Sequence, residues 1–110
     1  MSNSQPSLWQ NTSTAQLAEV LVAIRDIDTM QAFLRDVMTE KEITEISARL
    51  TAAKMLQQGS RYTEITATTK LSSRTIARIS DWLQQDTGGY QSALAIIATH
   101  HAHIPPARAE

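Results

Sequence analysis

Apolar side chains recur along this chain at helical spacing. Leu17, Val20, Leu21, Ile24 and Ile27 fall at intervals of three and four, which puts them on one broad face. Met30, Phe33, Leu34, Val37 and Met38 repeat the pattern over a shorter second helix. A third helix runs from about Glu40 to Gln58, with Ile43, Ile46, Leu50, Ala53 and Leu56 inward. Polar residues mark the starts. Ser13-x-x-Gln16 and Thr39-x-x-Glu42 have the form of capping boxes, and Asp28-x-x-Gln31 offers a further cap. Gly59 is a natural stop, because the residue past a helix end often takes positive φ.

The next stretch, Tyr62–Leu83, reads as a short helix, a three-residue break and a second helix. That is the layout of a helix-turn-helix, whose second helix enters the DNA major groove. Tyr62, Ile65 and Thr69 share one face of the first helix, and Leu71 plugs the angle at the break. The turn usually favours glycine, yet Lys70 occupies the position that needs positive φ, at a cost of about 1 kcal/mol. Ser72 or Ser73 caps the second helix, whose buried stripe is Ile76, Ile79 and Leu83. Arg74, Thr75 and Arg78 lie off that stripe, where they reach base edges or phosphates. Asp86-Thr-Gly-Gly89 then breaks the chain. A last helix runs from Tyr90 to about His101, with Leu94, Ile97, Ala98 and His101 on one stripe.

The expectation is therefore an all-α domain of six helices over residues 13–103. A flexible arm over residues 1–12, interrupted by Pro6, precedes it, and a tail over 104–110 follows. Leu8 and Trp9 stand out as apolar residues in that polar arm; they either dock on a groove of a partner subunit or lie loose. Low aromatic content and abundant Ala, Leu, Ile, Gln and Glu agree with helices. The first two helices are markedly apolar, and two such helices from one chain cover only part of so small a core. Homodimerisation through them completes the fold and supplies two reading heads for DNA half-sites.

The net charge of −1 argues against a generic nucleic-acid coat, but its distribution changes that picture. Residues 1–48 carry three basic and seven acidic side chains, a net −4. Residues 49–80 carry Arg49, Lys54, Arg61, Lys70, Arg74 and Arg78 against Glu64 alone, a net +5. The positive charge thus concentrates in and just before the helix-turn-helix, where it steers that face to phosphate.

Other chemistry is thin. The absence of cysteine excludes disulfides and thiolate zinc sites. No apolar run approaches the roughly 20 residues of a membrane span, and the start lacks the basic and apolar regions of a secretory signal, so a cytoplasmic protein is expected. His100-His101-x-His103 suggests metal binding, but adjacent histidines point about 100° apart on a helix and suit a solvated end better. Glu40, Glu42 and Glu45 suit a helix N-terminus. Ser72 and Ser73 have no evident base, and Met30, Met38 and Met55 read as core fillers. Neither an enzyme, a metal site nor a cofactor is expected.

In order and spacing these elements resemble the Trp repressor superfamily, and more closely its YerC/YecD-type Trp-repressor-like branch. The likeness covers roughly residues 16–94. It rests on Met38-Thr39-x-x-Glu42, Ala48-Arg49-Leu50, Gly59-Ser-Arg-Tyr62-Thr-Glu64-Ile65, the run Ser72 to Arg78 and the pair Gly89-Tyr90. The resemblance implies an intertwined homodimer that represses transcription by binding operator DNA. It places base-reading positions on Ser73 and Arg74, with Ala77 one turn on. It places a corepressor pocket on Thr39, Arg49 and Arg78, the two arginines clamping the ligand. There the chain departs from the tryptophan-binding members. Ile79 stands where they have glycine and Trp82 where they have serine. Both side chains are expected to fill a vestigial pocket from within, so that tryptophan is not the effector.

The combined reading is a homodimeric regulator of double-stranded DNA contacting it through Arg61, Lys70, Ser72, Ser73, Arg74, Thr75 and Arg78, with Arg49 and Lys54 reaching phosphates. The competing reading is a helical protein-interaction module that reuses the fold. Net acidity and the missing turn glycine favour the module; the +5 segment favours DNA.

Overall fold

The computed structural model describes residues 5–85 and 88–103. Those residues form seven helices and no strand: α1 (Gln5–Gln10), α2 (Thr12–Ala23), α3 (Ile27–Val37), α4 (Glu40–Gln57), α5 (Tyr62–Thr69), α6 (Ser73–Leu83) and α7 (Gly89–His103). The all-α class is as expected; the count is one higher. The chain divides into two compact units, Met1–Ile43 and Thr44–Glu110.

In the first unit the stretch expected to be an arm over 1–12 carries helix α1 at Gln5–Gln10. Pro6 reads as a breaker, but it stands in the first turn of α1, where no N–H is needed. The Thr14 hydroxyl donates to the Leu8 carbonyl and so ties α2 to α1. Asn11, not Ser13, caps α2: its Oδ1 accepts from Ser13 N–H at 2.9 Å and from Thr14 N–H at 3.3 Å. Its extended backbone lets the helix start two residues before the Ser13-x-x-Gln16 box.

Likewise Asp26, not Asp28, caps α3, with Oδ2 accepting from Thr29 N–H at 2.9 Å. That backbone hydrogen bond holds the Asp26 carboxyl below the usual carboxylate range. Ile27 therefore opens α3 rather than ending the stripe of α2, and it is 68% exposed. Neither α2 nor α3 buries a residue. The reciprocal box at the start of α4 forms as expected. Thr39 Oγ1 accepts from Glu42 N–H at 3.1 Å, and Glu42 Oε1 accepts from Thr39 N–H at 2.9 Å.

In the second unit α4 ends in a Schellman motif. Gly59, at φ 86°, donates its N–H to the Leu56 carbonyl, and Ser60 N–H donates to the Met55 carbonyl. The core is small: Ala52 and Ala53 of α4, Ile65 of α5, Ile76 and Ile79 of α6, and Leu94 of α7. The expected inward stripe of α4 is only partly buried, and Ile46 is 51% exposed. Leu71 packs on the core from the turn, as its position in the break predicts. Gln91 Nε2 donates to the Leu83 carbonyl at 2.8 Å and pins the end of α6 to α7. The tail over 104–110, Asp86 and Thr87, and the side chains of His101 and His103 lie outside the described residues.

Candidate nucleic-acid interface

The tight turn between α5 and α6 is built from local hydrogen bonds. Thr69 Oγ1 donates to the Ile65 carbonyl at 2.7 Å and accepts from Leu71 N–H at 3.2 Å. Lys70 carries the left-handed conformation, φ 63° and ψ 12°, and donates its N–H to the Thr66 carbonyl. It is the only residue other than glycine at positive φ among the described residues. At the far end of α5, Glu64 Oε1 accepts from Arg61 N–H at 2.9 Å. The one acidic side chain of the basic segment is thus occupied in fixing the helix start.

Ser72 caps α6. Its Oγ accepts from Thr75 N–H and donates to Thr75 Oγ1, both at 3.1 Å. Ser72 is therefore committed to the helix, whereas the Ser73 side chain is exposed. Arg74 follows, exposed, in the first turn, where free backbone N–H groups add a positive field. Arg78 is exposed one turn on. Among the described residues the ion pair is Arg35 to Glu40, so no basic side chain of residues 49–80 is neutralised by a described carboxylate. Lys70, Ser73, Arg74 and Arg78 accordingly present donors with no competing acid. These are groups that suit phosphate oxygens and the N7 and O6 edge of guanine.

Behind that face lies a cleft of about 200 Å³ lined by Arg49, Thr75, Arg78, Ile79, Trp82 and Tyr90. It brings Arg49 and Arg78 together, along with Ile79 and Trp82. Thr39, in the first unit, has its hydroxyl taken up by the α4 cap. Both Ile79 and Trp82, expected to fill a vestigial pocket, line this cleft. Ile79 turns into the core and is 3% exposed, while Trp82 is 41% exposed and forms a wall. Tyr90 completes the lining; the Gly89-Tyr90 pair marked it in the sequence without revealing that α7 would bring it there. Lys54 lines a separate groove between α4 and α7, with Gln57, Gln58 and Leu94.

The chain is 32% identical over 79 residues to the uncharacterized protein YerC of Bacillus subtilis (strain 168), covering 72% of this chain and 76% of that one. A crystal structure of a TrpR-like protein from Eubacterium eligens ATCC 27750 superposes with a TM-score of 0.75 at 29% identity, over 82% of this chain and 93% of the other. A candidate Trp repressor from Staphylococcus aureus gives 0.77 at 26% identity, over 87% and 96%. The family model for the Trp repressor protein matches residues 12–97, from the first turn of α2 well into α7. With the turn, the capped second helix and the paired arginines inside that span, the chain belongs to the Trp repressor family, as a YerC-like member.

Proposed function

We propose that this chain is a sequence-specific regulator of transcription that binds double-stranded DNA as a homodimer, in the cytoplasm, and represses. The observation that carries the reading is the exposed, unneutralised pair Arg74 and Arg78 on a helix whose start is fixed by Ser72. Ser73 and Arg74 read base edges; Lys70, Thr75 and Arg78 position the helix on the backbone, and Arg61 holds phosphate at the start of α5. Support for the dimer comes from the first unit, whose helices α2 and α3 bury nothing in one chain. Two copies also give the paired heads that a palindromic site requires. Binding proceeds without tryptophan.

Selection from a random DNA pool, followed by titration at several salt concentrations, tests this. A regulator enriches a two-fold symmetric sequence. If its dimer neutralises six or more phosphates, affinity falls by roughly 10³-fold or more between 50 and 200 mM salt. Failure to enrich any sequence, with no salt-dependent binding to random DNA, overturns it.

A further inference from the structure

Helix α6 ends in a tight turn. Gln84 N–H donates to the Asp81 carbonyl at 3.1 Å, and Gln85 N–H donates to the Trp82 carbonyl at 3.2 Å. The next acceptor, the Leu83 carbonyl, accepts from Gln91 Nε2 of α7 at 2.8 Å. Only the nitrogen end of that amide can donate to a carbonyl, so the orientation of the side chain is set. Among the described residues this is the one hydrogen bond between α6 and α7. The remaining contact is apolar, through Ile76, Ile79, Leu83, Leu94 and Ile97 in the shared core.

We propose that Gln91 is a positioning residue for DNA reading: its amide fixes the tilt of α6 on α7, and with it the half-site spacing that the protein accepts. The proposal rests on the homodimeric DNA reading proposed above. It adds a residue outside both the basic segment and the lining of the cleft.

Apolar packing has no direction, so Ile76 and Ile79 hold α6 in the core without fixing its angle. Nor does the connection fix it. It includes Gly88, at φ 74°, and Gly89, around which a β-carbon would meet nothing within 4 Å. A hydrogen bond is directional. This one grips the last turn of α6, the end opposite Ser73 and Arg74. Ser73 and Ile79 lie about 9 Å apart along the helix, so a tilt of about 10° near Ile79 moves the Ser73 backbone by about 1.5 Å. Two-fold symmetry doubles that change in the separation of the reading heads, to nearly the 3.4 Å rise of one base pair. The bond also joins the neighbours in sequence of Trp82 and Tyr90, so it sets the separation of two walls of the cleft.

The test uses the selected two-fold symmetric site and the same site with one base pair added or removed at its centre. Full-length parent protein is compared with Gln91→Ala and Gln91→Glu, which lack the donor, and with Gln91→Lys, which supplies one. The preference for the native spacing should fall by roughly two- to tenfold in Gln91→Ala and Gln91→Glu and return in Gln91→Lys. The added or lost charge acts on every spacing alike and cancels in the ratio. Preference for the selected bases within a half-site should be unchanged. Gln91 is exposed, so urea midpoints should stay close to the parent's. A purely structural role would weaken binding on all spacings equally, and that result overturns the proposal. If the parent enriches no symmetric sequence, the DNA-reading function falls and this assignment with it. If it enriches one and Gln91→Ala keeps the parent's spacing ratio, only the assignment falls.

A second measurement needs no DNA. The chain has no cysteine, so Ser73→Cys with Thr99→Cys places one spin label on α6 and one on α7, both at exposed positions. Labelled chains are diluted with unlabelled ones and read by double electron–electron resonance. The distance distribution should broaden or shift in Gln91→Ala and Gln91→Glu and return to the parent's in Gln91→Lys. Identical distributions in all four proteins overturn the proposal.

Discussion

Ser72 and Thr75 are joined twice at the start of α6: the Ser72 oxygen accepts the Thr75 N–H and donates to the Thr75 hydroxyl, each at 3.1 Å. Thr75 in turn lines the arginine cleft. One short bridge therefore spans the cap of the reading helix and the cleft behind it. Ser72→Ala removes the cap and should cost about 0.5–2 kcal/mol of stability, read by urea denaturation. Ser72→Asp keeps an acceptor at the cap but places a carboxylate beside Arg74. That variant should stay close to the parent in stability and lose DNA affinity at low salt. Equal DNA binding by Ser72→Asp and the parent would remove this helix start from the interface.

Lys70 adopts φ 63°, a conformation that costs a side chain with a β-carbon roughly 1 kcal/mol or more. Lys70→Gly relieves that strain at the expense of greater freedom in the unfolded chain. The net expectation is a gain of a few tenths to about 1 kcal/mol in unfolding free energy. DNA binding should weaken at the same time, because an exposed cation is lost next to α6. A variant of lower stability than the parent would mean that Lys70 makes a contact worth more than its strain.

Arg74 and Arg49 should fail in different ways. Arg74 is exposed in the first turn of α6, whereas Arg49 lies on α4 beside the cleft. Arg74→Ala should cost about 1–3 kcal/mol on the selected site and little on random DNA, flattening sequence preference. Arg49→Ala should weaken both equally and lower the salt slope by about one. Parallel titrations of both variants on the two DNAs decide the matter.

The Asp26 carboxyl is held below its ordinary range by the Thr29 backbone N–H, with the Thr29 side chain adding to the effect. Its folded-state pKa thus lies below the unfolded one, so the charged cap stabilises α3 above the unfolded pKa. That contribution fades as pH falls through the folded value. Carboxyl-detected NMR titration should place Asp26 below a typical exposed aspartate. Asp26→Ala should flatten the acid limb of the stability profile. An unshifted titration would show that the Thr29 bond does not persist in solution.

How legible this molecule is from its sequence depends on the range of the interaction. Local rules did well at Thr39 and Glu42, at Gly59 and at Lys70, because each position is decided by neighbours within a few residues. They failed where two local solutions compete: Asn11 displaces Ser13 and Asp26 displaces Asp28, each moving a helix start by two residues. Pro6 hid α1 because a proline signals a break unless it falls in a first turn. Periodicity placed Ile46 on an apolar face of α4 but says nothing of what covers that face. The walls of the cleft were legible on α4 and α6. Tyr90 was not, since only packing of α7 on α6 brings it there.

The cleft itself leads to the last expectation, that free L-tryptophan does not regulate this protein. In tryptophan-binding members of the family the indole slides between two arginines over a residue without a side chain. Arg49 and Arg78 stand in place here, but Ile79 occupies that residue's position and is 3% exposed, packed with Ile65 and Ile76. Its branched side chain closes the floor of the slot from the core side, while Trp82 takes up one wall. The lining also contains two guanidinium groups and no carboxylate, so an α-ammonium group entering it meets like charge and no acidic partner. Calorimetric titration with L-tryptophan should show no saturable heat at millimolar ligand, and DNA affinity should not change. Micromolar binding with tightened DNA affinity would refute this. Ile79→Gly would not simply open the slot. It removes a buried side chain from a small core and adds backbone freedom, so it should cost about 3–5 kcal/mol. Trp82→Ser, at a half-exposed wall, should cost much less and widen the cleft. Denaturation curves of the two single variants separate floor from wall, and comparable losses would show that the indole of Trp82 is packed as deeply as Ile79.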